Sequence, residues 1–364
     1  MDSQLTGTDQ THLRRALALA EGGRGRVSPN PLVGAVIVRD GEVIGDGFHA
    51  ELGGLHAERA ALEDCRGRGA DPAGATMYVT LEPCAHHGRQ PPCVEAILEA
   101  GIGHVVIASE DPSEKAAGRG PGILRDGGVE VAFATGAEAT AARRLNQPFR
   151  KHARTGLPLV VLKMAMSLDG QTATAPGDSP WISGPESREL VHRWRVEHDA
   201  IAVGIGTALT DDPLLTARID GARQPKRVIF DSQARLPLDS QLLATLDQAP
   251  VLVITAPDAP TDRTTALKEA GAEVISAPDL ELALRELGRR EVTSLFLEGG
   301  QTLASSFLSS DLIDESRTFI APVLLGRQPN SAPAVTGPAR QNALWSSTKN
   351  VGDDTLITAT YKEW

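Results

Sequence analysis

Apolar positions along this chain follow two rhythms, a helical one and a strand one, and the two alternate. Leu13, Ala16, Leu17 and Ala20 fall at i, i+3, i+4 and i+7, which predicts a helix from about Asp9 until Gly22 and Gly23 stop it; residues 1–8 read as frayed. The turn-like Ser28-Pro29-Asn30-Pro31 leads into a buried strand, Val33 to Val38, and Asp40-Gly41 is a hairpin signal before Val43-Ile44. A helix is expected from about His56 to Cys65, with Ala57, Ala60 and Ala61 on one face and Cys65 packing beside Ala61. A strand follows at Thr76–Thr80, then a helix from Val94 to Ala100 that Gly101 ends, then a strand at Val105–Ala108.

The stretch Arg143 to Pro158 is basic and has no clear apolar period, so the boundary is placed there, giving domains 1–150 and 151–364. Beyond it the alternation restarts. Short β-branched runs bounded by Gly, Pro or Asp predict buried strands at Leu159–Leu162, Ala200–Val203, Arg227–Phe230, Val251–Ile254 and Ser294–Leu297. Ala256 to Asp262 reads as a surface loop, Leu303 to Leu308 as helical, and the last stretch as a final strand with Asp353-Asp354 before it. No internal repeat links the halves. The class is α/β in both.

The length, 364 residues, suits two domains, and 41% hydrophobic with 23% charged residues is a globular composition. No apolar run approaches the roughly 18 residues that span a bilayer, and the polar start lacks a signal peptide's apolar stretch. A cytoplasmic protein without membrane contact is expected. The net charge of −11 argues against nucleic acid as a partner, whose phosphates call for Lys and Arg. Three cysteines, Cys65, Cys84 and Cys93, are too few for a disulfide framework and point to metal or free thiols.

The candidate chemistry begins at His56-Ala57-Glu58, with Pro83-Cys84 and Pro91-Pro92-Cys93 downstream. One imidazole and two thiolates suit Zn2+ and leave a fourth position for water, whose pKa the metal lowers. Glu58, two residues past the histidine, is placed to carry protons without being a ligand. Cys93 opens the Val94 helix, whose dipole favours a thiolate. This is the H-x-E…P-C signature of zinc nucleobase deaminases, with one departure: eight residues separate Cys84 from Cys93 instead of two.

That insert carries a resemblance. Pro83-Cys84-Ala85-His86-His87-Gly88-Arg89-Gln90-Pro91-Pro92-Cys93, with Asn30-Pro31-Leu32-Val33-Gly34 before it, resembles the deaminase half of the bifunctional riboflavin-biosynthesis deaminase/reductase. The resemblance implies a cytidine-deaminase-like three-layer α/β/α domain in which His56, Cys84 and Cys93 bind zinc and Glu58 shuttles protons. Asn30 and His86 are candidate substrate contacts; His49 reads equally well as structural.

The second half lacks G-x-G-x-x-G but offers a glycine turn at a helix start, Glu298-Gly299-Gly300-Gln301-Thr302-Leu303, whose bare N–H groups suit a phosphate. On its own a simple strand-to-helix turn explains it as well. Lys163-Met164-Ala165-Met166-Ser167-Leu168-Asp169-Gly170, Ser179-Pro180-Trp181-Ile182-Ser183 and Thr207 to Thr216 resemble the reductase half of the same family, which implies a dihydrofolate-reductase-like α/β domain. By that resemblance Ala165, Trp181, Thr207, Asp211, Ser232 and the turn Gly300, Gln301, Thr302, Leu303, Ala304, Ser305, Ser306 should contact NADPH. Ser179, Arg195, Leu215, Arg218 and Glu298 should contact the substrate, with Lys163 a substrate contact or proton donor. Arg195 and Arg218 fit a sugar phosphate because guanidinium binds phosphate oxygens bidentately. Asp199 and Asp212 read as turn residues.

The reaction so implied is deamination of a diaminopyrimidinone ribosylamino 5′-phosphate, then reduction of the ribosyl to ribityl by hydride from NADPH. Three rivals stand beside it: a nucleic-acid or nucleoside base deaminase with an accessory domain, a structural zinc module whose fourth ligand is a residue such as His86, and a chain in which one half is inactive. A symmetric homo-oligomer is the general expectation for such an enzyme.

Overall fold

The structure, a computed structural model, describes residues 6–87, 90–114, 116, 118–172, 181–326 and 341–364. It divides into two compact units, Met1–Thr155 with Trp364 and Gly156–Glu363. Among the described residues no helix is long and apolar enough to cross a membrane.

In the first unit the chain runs α1 (Gly7–Ala20), β1 (Gly34–Arg39), β2 (Glu42–Phe48), α2 (Ala57–Gly67), β3 (Thr76–Val79), α3 (Cys93–Glu99), β4 (His104–Ile107), α4 (Arg119–Asp126), β5 (Glu130–Phe133), α5 (Gly136–Leu145) and α6 (Gln147–Thr155). The sheet order is β2-β1-β3-β4-β5. β1 is antiparallel to both β2 and β3, and β3, β4 and β5 are parallel. Alternate residues of β1 divide between two cores: Ala35 and Ile37 face α2 and α3, whereas Val36 and Val38 face α1 and α5. The unit is therefore three layers, α/β/α.

Helix α1 starts two residues earlier than its apolar spacing predicts because a capping box sets its end. Thr6 Oγ1 accepts from the Asp9 N–H at 3.2 Å, and the Asp9 carboxylate accepts from the Thr6 N–H at 2.8 Å. Asp40 and Gly41 form the hairpin turn, both at positive φ, 51° and 83°. Gly34 lets α1 lie directly on β1: a Cβ there would stand 2.0 Å from the Ala16 carbonyl oxygen. Cys65 is fully buried in the α2-side core. The basic stretch 143–158 is not an irregular connection. It contains the end of α5 and all of α6, whose buried residues are Gln147, Arg150 and Lys151, so a polar buried face hid the helix from an apolar count.

The second unit contains β6 (Leu159–Ser167), α7 (Pro185–Glu197), β7 (Ala200–Gly204), α8 (Ile205–Asp211), β8 (Lys226–Phe230), α9 (Gln241–Ala244), β9 (Val251–Thr255), α10 (Thr261–Glu269), β10 (Glu273–Ser276), α11 (Leu280–Arg289), β11 (Ser294–Leu297), α12 (Gln301–Ser309), β12 (Glu315–Ala321), β13 (Trp345–Val351) and β14 (Asp354–Thr360). They form one sheet in the order β10-β9-β8-β7-β11-β6-β12-β14-β13. The run from β10 to β12 is parallel; β14 and β13 add antiparallel strands at one edge.

Three readings change here. β6 continues past the expected end at Leu162 to Ser167, so Lys163 and Ala165 are strand residues. The expected loop from Ala256 gives way to α10 at Thr261. Asp199 is no surface turn residue but a buried anchor. Its Oδ2 accepts from the Thr293 N–H at 2.8 Å, the Thr293 hydroxyl at 2.7 Å and the Ser294 N–H at 3.1 Å, and its Oδ1 pairs with Arg223 at 2.6 Å, tying the start of β7 to β11. Asp212 does end α8, at φ 38°.

Candidate active sites

His56 caps the start of α2 in an extended conformation, so its ring is aimed by the first turn of the helix and Glu58 follows inside that turn. Cys84 lies beyond β3, and Cys93 is the first residue of α3. The fold brings these together. Both sulfurs approach one nitrogen: Cys84 Sγ is 3.5 Å and Cys93 Sγ 3.4 Å from His56 Nδ1. Metal–ligand lengths of about 2.05 Å to nitrogen and 2.3 Å to sulfur make the N···S edge of a tetrahedron about 3.6 Å. The three donors thus fit Zn2+ nearly as they stand. Among the described residues no fourth ligand joins this group.

Electrostatics divide the two thiols. The Cys93 thiol's hydrogen bond, with help from His56 and the Cys93 N–H (3.3 Å to Cys84 Sγ), outweighs burial and lowers Cys84 to about 4. Cys93 is pushed the other way, by that same hydrogen bond and by burial. The free N–H at the start of α3 points at the Cys84 sulfur and so favours a thiolate there. Burial, then the Cys84 thiolate, pushes the Glu58 carboxyl up to about 7, the range in which a carboxyl both takes and gives protons.

Neighbours hold this centre in place. Arg59 donates to the Pro92 carbonyl at 2.9 Å, fixing the residue before Cys93. His49 Nδ1 donates to the Leu55 carbonyl at 2.9 Å, leaving Nε2 to accept from the Asn30 amide at 3.1 Å. His49 is thus structural, and it orients Asn30. His86 is half-buried with Nδ1 unpartnered among the described residues; Gly88 and Arg89 of the same loop lie outside them. Sequence reasoning missed Glu82 and Asp111, whose carboxyls burial raises; Asp111 interacts with both His86 and Cys84. The signal available for Asp111 was its place just beyond the C-terminal end of a parallel strand, β4.

In the second unit β7 and β11 are neighbours whose connections leave in opposite directions. The chain from β7 returns to β8 on one side, and the chain from β11 returns to β12 on the other. Such a switch point opens a crevice at the carboxyl ends of the strands. An open cleft of about 310 Å³ lies there, lined by Gly204, Gly206, Thr207, Thr210, Asp211 and Gly300 to Leu303. It gathers Thr207, Asp211, Gly300, Gln301, Thr302 and Leu303 of the expected cofactor set. Ala304, Ser305 and Ser306 do not line it. Ala304 is packed in the core and Ser306 Oγ donates to the Thr302 carbonyl, since only the first turn of α12 presents free N–H groups. Ala165, Trp181 and Ser232 also lie outside its wall. Trp181 is exposed, with the Arg188 guanidinium 5.3 Å from its ring centroid. Ser179 lies outside the described residues.

The substrate candidates form a charged cluster. Arg195 Nε donates to Glu298 Oε1 at 2.6 Å, Nη2 to Oε2 at 2.9 Å, and Nη1 to the Thr216 carbonyl at 2.9 Å. Glu298 thus takes both prongs of the Arg195 fork. Burial pushes the half-buried Lys163 ammonium below its ordinary value, against the pull of Glu298. For Glu298 the charge and hydrogen bonds of Arg195 overcome burial and hold the carboxyl low. Leu215 is buried and Arg218 exposed, each at φ 54°, a conformation that non-glycine residues adopt only when held.

Known proteins match both units. Residues 158–356 match the family described as RibD C-terminal domain, and residues 6–109 the cytidine and deoxycytidylate deaminase zinc-binding region. The riboflavin biosynthesis protein RibD of Actinobacillus pleuropneumoniae is 40% identical, covering 97% of this chain and 95% of its own. The chain belongs to the RibD family. A Thermotoga maritima RibD-type structure, described as a diaminohydroxyphosphoribosylaminopyrimidine deaminase/5-amino-6-(5-phosphoribosylamino)uracil reductase, superposes with TM-score 0.84 at 35% identity, covering 98% of this chain and 99% of that one. Acinetobacter baumannii RibD gives 0.84 at 36%, with the same coverage. As a RibD the chain is a bifunctional enzyme of riboflavin biosynthesis, a zinc-dependent deaminase joined to an NADPH-dependent reductase, with a cytidine-deaminase-like and a dihydrofolate-reductase-like fold.

Proposed function

We propose that the first unit deaminates 2,5-diamino-6-ribosylamino-4(3H)-pyrimidinone 5′-phosphate and that the second reduces the ribosyl chain of the resulting uracil to ribityl. The observation that carries the first step is the triangle of His56, Cys84 and Cys93 with Glu58 buried beside it. Zinc supplies Lewis acidity at that point. Glu58 accepts a proton from the attacking water and delivers it to the leaving amine; a carboxyl raised to about 7 exchanges protons readily at neutral pH. Asn30, held by His49, and His86 are assigned to the pyrimidine and its substituents.

In the second unit NADPH supplies the hydride. The free N–H groups at Gly300 to Leu303, with Thr207 and Asp211, hold the cofactor in the switch-point cleft, and Ala165, Trp181 and Ser232 complete its contacts. Arg218, Leu215, Ser179 and the Arg195–Glu298 pair contact the substrate, with Arg218 at its phosphate. Lys163, beside Glu298, delivers a proton to the sugar as the hydride arrives at C1′. The domains are assigned as 1–150 and 151–364, the enzyme to the cytoplasm, and the assembly to a symmetric homo-oligomer.

The test is to supply the diaminopyrimidinone substrate with NADPH and to follow ammonia and NADPH separately. Glu58→Gln is expected to stop ammonia release and to leave reduction of the pre-deaminated compound intact. Loss of both activities in a folded variant would overturn the two-site reading.

A further inference from the structure

Residues 27–33 bring Asn30 to the zinc centre as a connection that is neither helix nor strand. Two rings fix where Asn30 stands. Its amide nitrogen lies 3.1 Å from His49 Nε2, and the His49 ring meets the His56 ring edge-on, centroids 5.4 Å apart. The backbone groups of such a connection need partners of their own. The Asn30 N–H donates to the Val27 carbonyl at 2.9 Å. Leu32 is buried with Ala20 and Val27 in a small separate core, against which Leu145 of α5 packs. Both backbone groups of Leu32 are met by one side chain. Asn146, only 2% exposed, accepts from the Leu32 N–H through Oδ1 at 2.8 Å and donates through Nδ2 to the Leu32 carbonyl at 2.9 Å. That is the pair of bonds a neighbouring strand would supply, and it comes from 114 residues along the chain. Asn146 is itself fixed, since it caps the end of α5 and its carbonyl accepts from the Arg150 N–H of α6 at 2.9 Å.

We propose that Asn146 is a positioning residue of the deaminase: by clamping Leu32 it sets where the Asn30 amide meets the pyrimidine. The inference rests on the reading of Asn30 as a substrate contact. One N–H given to His49 fixes the plane of the Asn30 amide and with it the carbonyl oxygen, an acceptor for the amino groups of a diaminopyrimidinone. That oxygen is useful only at one place, and the Leu32 clamp, two residues on, holds the backbone there. An asparagine suits the task because its side chain carries a donor and an acceptor in one plane, as a peptide group does. Without it two buried backbone groups lose their partners, and the connection satisfies them by moving towards water. The shift is confined to the residues before Val33. From Val33 on the chain is tied by the His49 N–H on the Val33 carbonyl at 3.0 Å and by Thr80 Oγ1, which accepts from the Gly34 N–H at 3.1 Å. The metal donors are placed by α2 and α3 and keep their triangle.

The experiment is a double-mutant cycle on the full chain, with ammonia release from the diaminopyrimidinone ribosyl phosphate as the assay. Asn146→Ala is expected to raise KM about tenfold, the loss of one substrate hydrogen bond, with zinc content and reductase turnover at the wild-type level. Asn30→Ala should raise KM to a similar extent, and adding Asn146→Ala to it should cost less than about a further twofold. An asparagine that only stabilised the fold would act alike in both backgrounds. Effects that multiply independently would therefore overturn the assignment, as would a wild-type KM in Asn146→Ala. Asn30→Ala alone separates the two layers of the argument. If it leaves KM and kcat unchanged, Asn30 is no substrate contact and the underlying reading fails. If it raises KM while Asn146→Ala does not, only the role of Asn146 fails. Where loss of zinc shows that the alanine variant does not fold, Asn146→Ser replaces it; a hydroxyl serves one of the two Leu32 groups, and the rise in KM should be about threefold and again vanish beside Asn30→Ala.

Discussion

Arg195 grips Glu298 by both carboxylate oxygens, at 2.6 and 2.9 Å, across 103 residues of chain. The pair joins α7 to the residue after β11, and each side chain is only 11% exposed. Removing one partner of such a pair leaves the other charge uncompensated. Glu298→Gln is expected to destabilise the second unit by about 3 kcal/mol in urea unfolding and to lower reduction at least tenfold, with ammonia release unchanged.

Glu58→Gln removes the proton carrier and keeps the shape. Ammonia release should fall by about 10²- to 10⁴-fold, the usual contribution of a positioned acid–base group. Zinc content, read by atomic absorption, should stay at the wild-type level, because Glu58 is not among the three clustered donors.

Chelation should act on one half only. Prolonged dialysis against a strong chelator is expected to abolish deamination and lower the melting temperature of the first unit, since structural coupling to the metal runs through α2, the Cys84 segment and α3. NADPH oxidation with the pre-deaminated compound should persist, and zinc should restore the rest.

Asp354 accepts from the Ser187 hydroxyl at 2.6 Å and the Gly184 N–H at 2.8 Å, so a residue of the last hairpin caps α7 from outside. Arg188, in the first turn of that helix, lies over Trp181 and donates to the Ser183 carbonyl. Asp354→Ala is expected to lower stability by about 1–3 kcal/mol and to raise the KM for NADPH severalfold. Asp354→Asn, which keeps an acceptor oxygen, should recover most of both. Steady-state kinetics and urea melts check this.

The first unit should weaken below neutral pH. Burial holds His49 below its ordinary value against the Leu55 carbonyl. The unfolded chain therefore binds more protons than the folded one as pH falls through about 6.5, and stability falls with it until the folded-state value is passed. Melting temperatures between pH 8 and 5 should show this slope, and His49→Gln should reduce it.

The zinc centre was legible because its chemistry is carried by residue types: one histidine, two proline-flanked cysteines and a glutamate at an offset of two. Strands were legible where both faces are apolar, as in Val251–Ile254, and illegible where a strand enters a site, as beyond Leu162 in β6. Helix α6 escaped because its buried face is Gln147, Arg150 and Lys151. Asp199 was misread because a charged residue in sequence does not announce its partner, and its main acceptor contacts are to Thr293 and Ser294, more than 90 residues away. The resemblance supplied the reductase roles that a glycine turn alone left ambiguous.

The segment between Cys84 and Cys93 is anchored at both ends to the same imidazole. Chain added or removed between two fixed points changes closure entropy only slowly. Loop length and metal geometry are consequently independent variables in this unit. Evolution can lengthen, shorten or rewrite residues 85–92 to suit a new ring substituent while the reactive centre stays where it is, so substrate range can drift without any change in the chemistry itself.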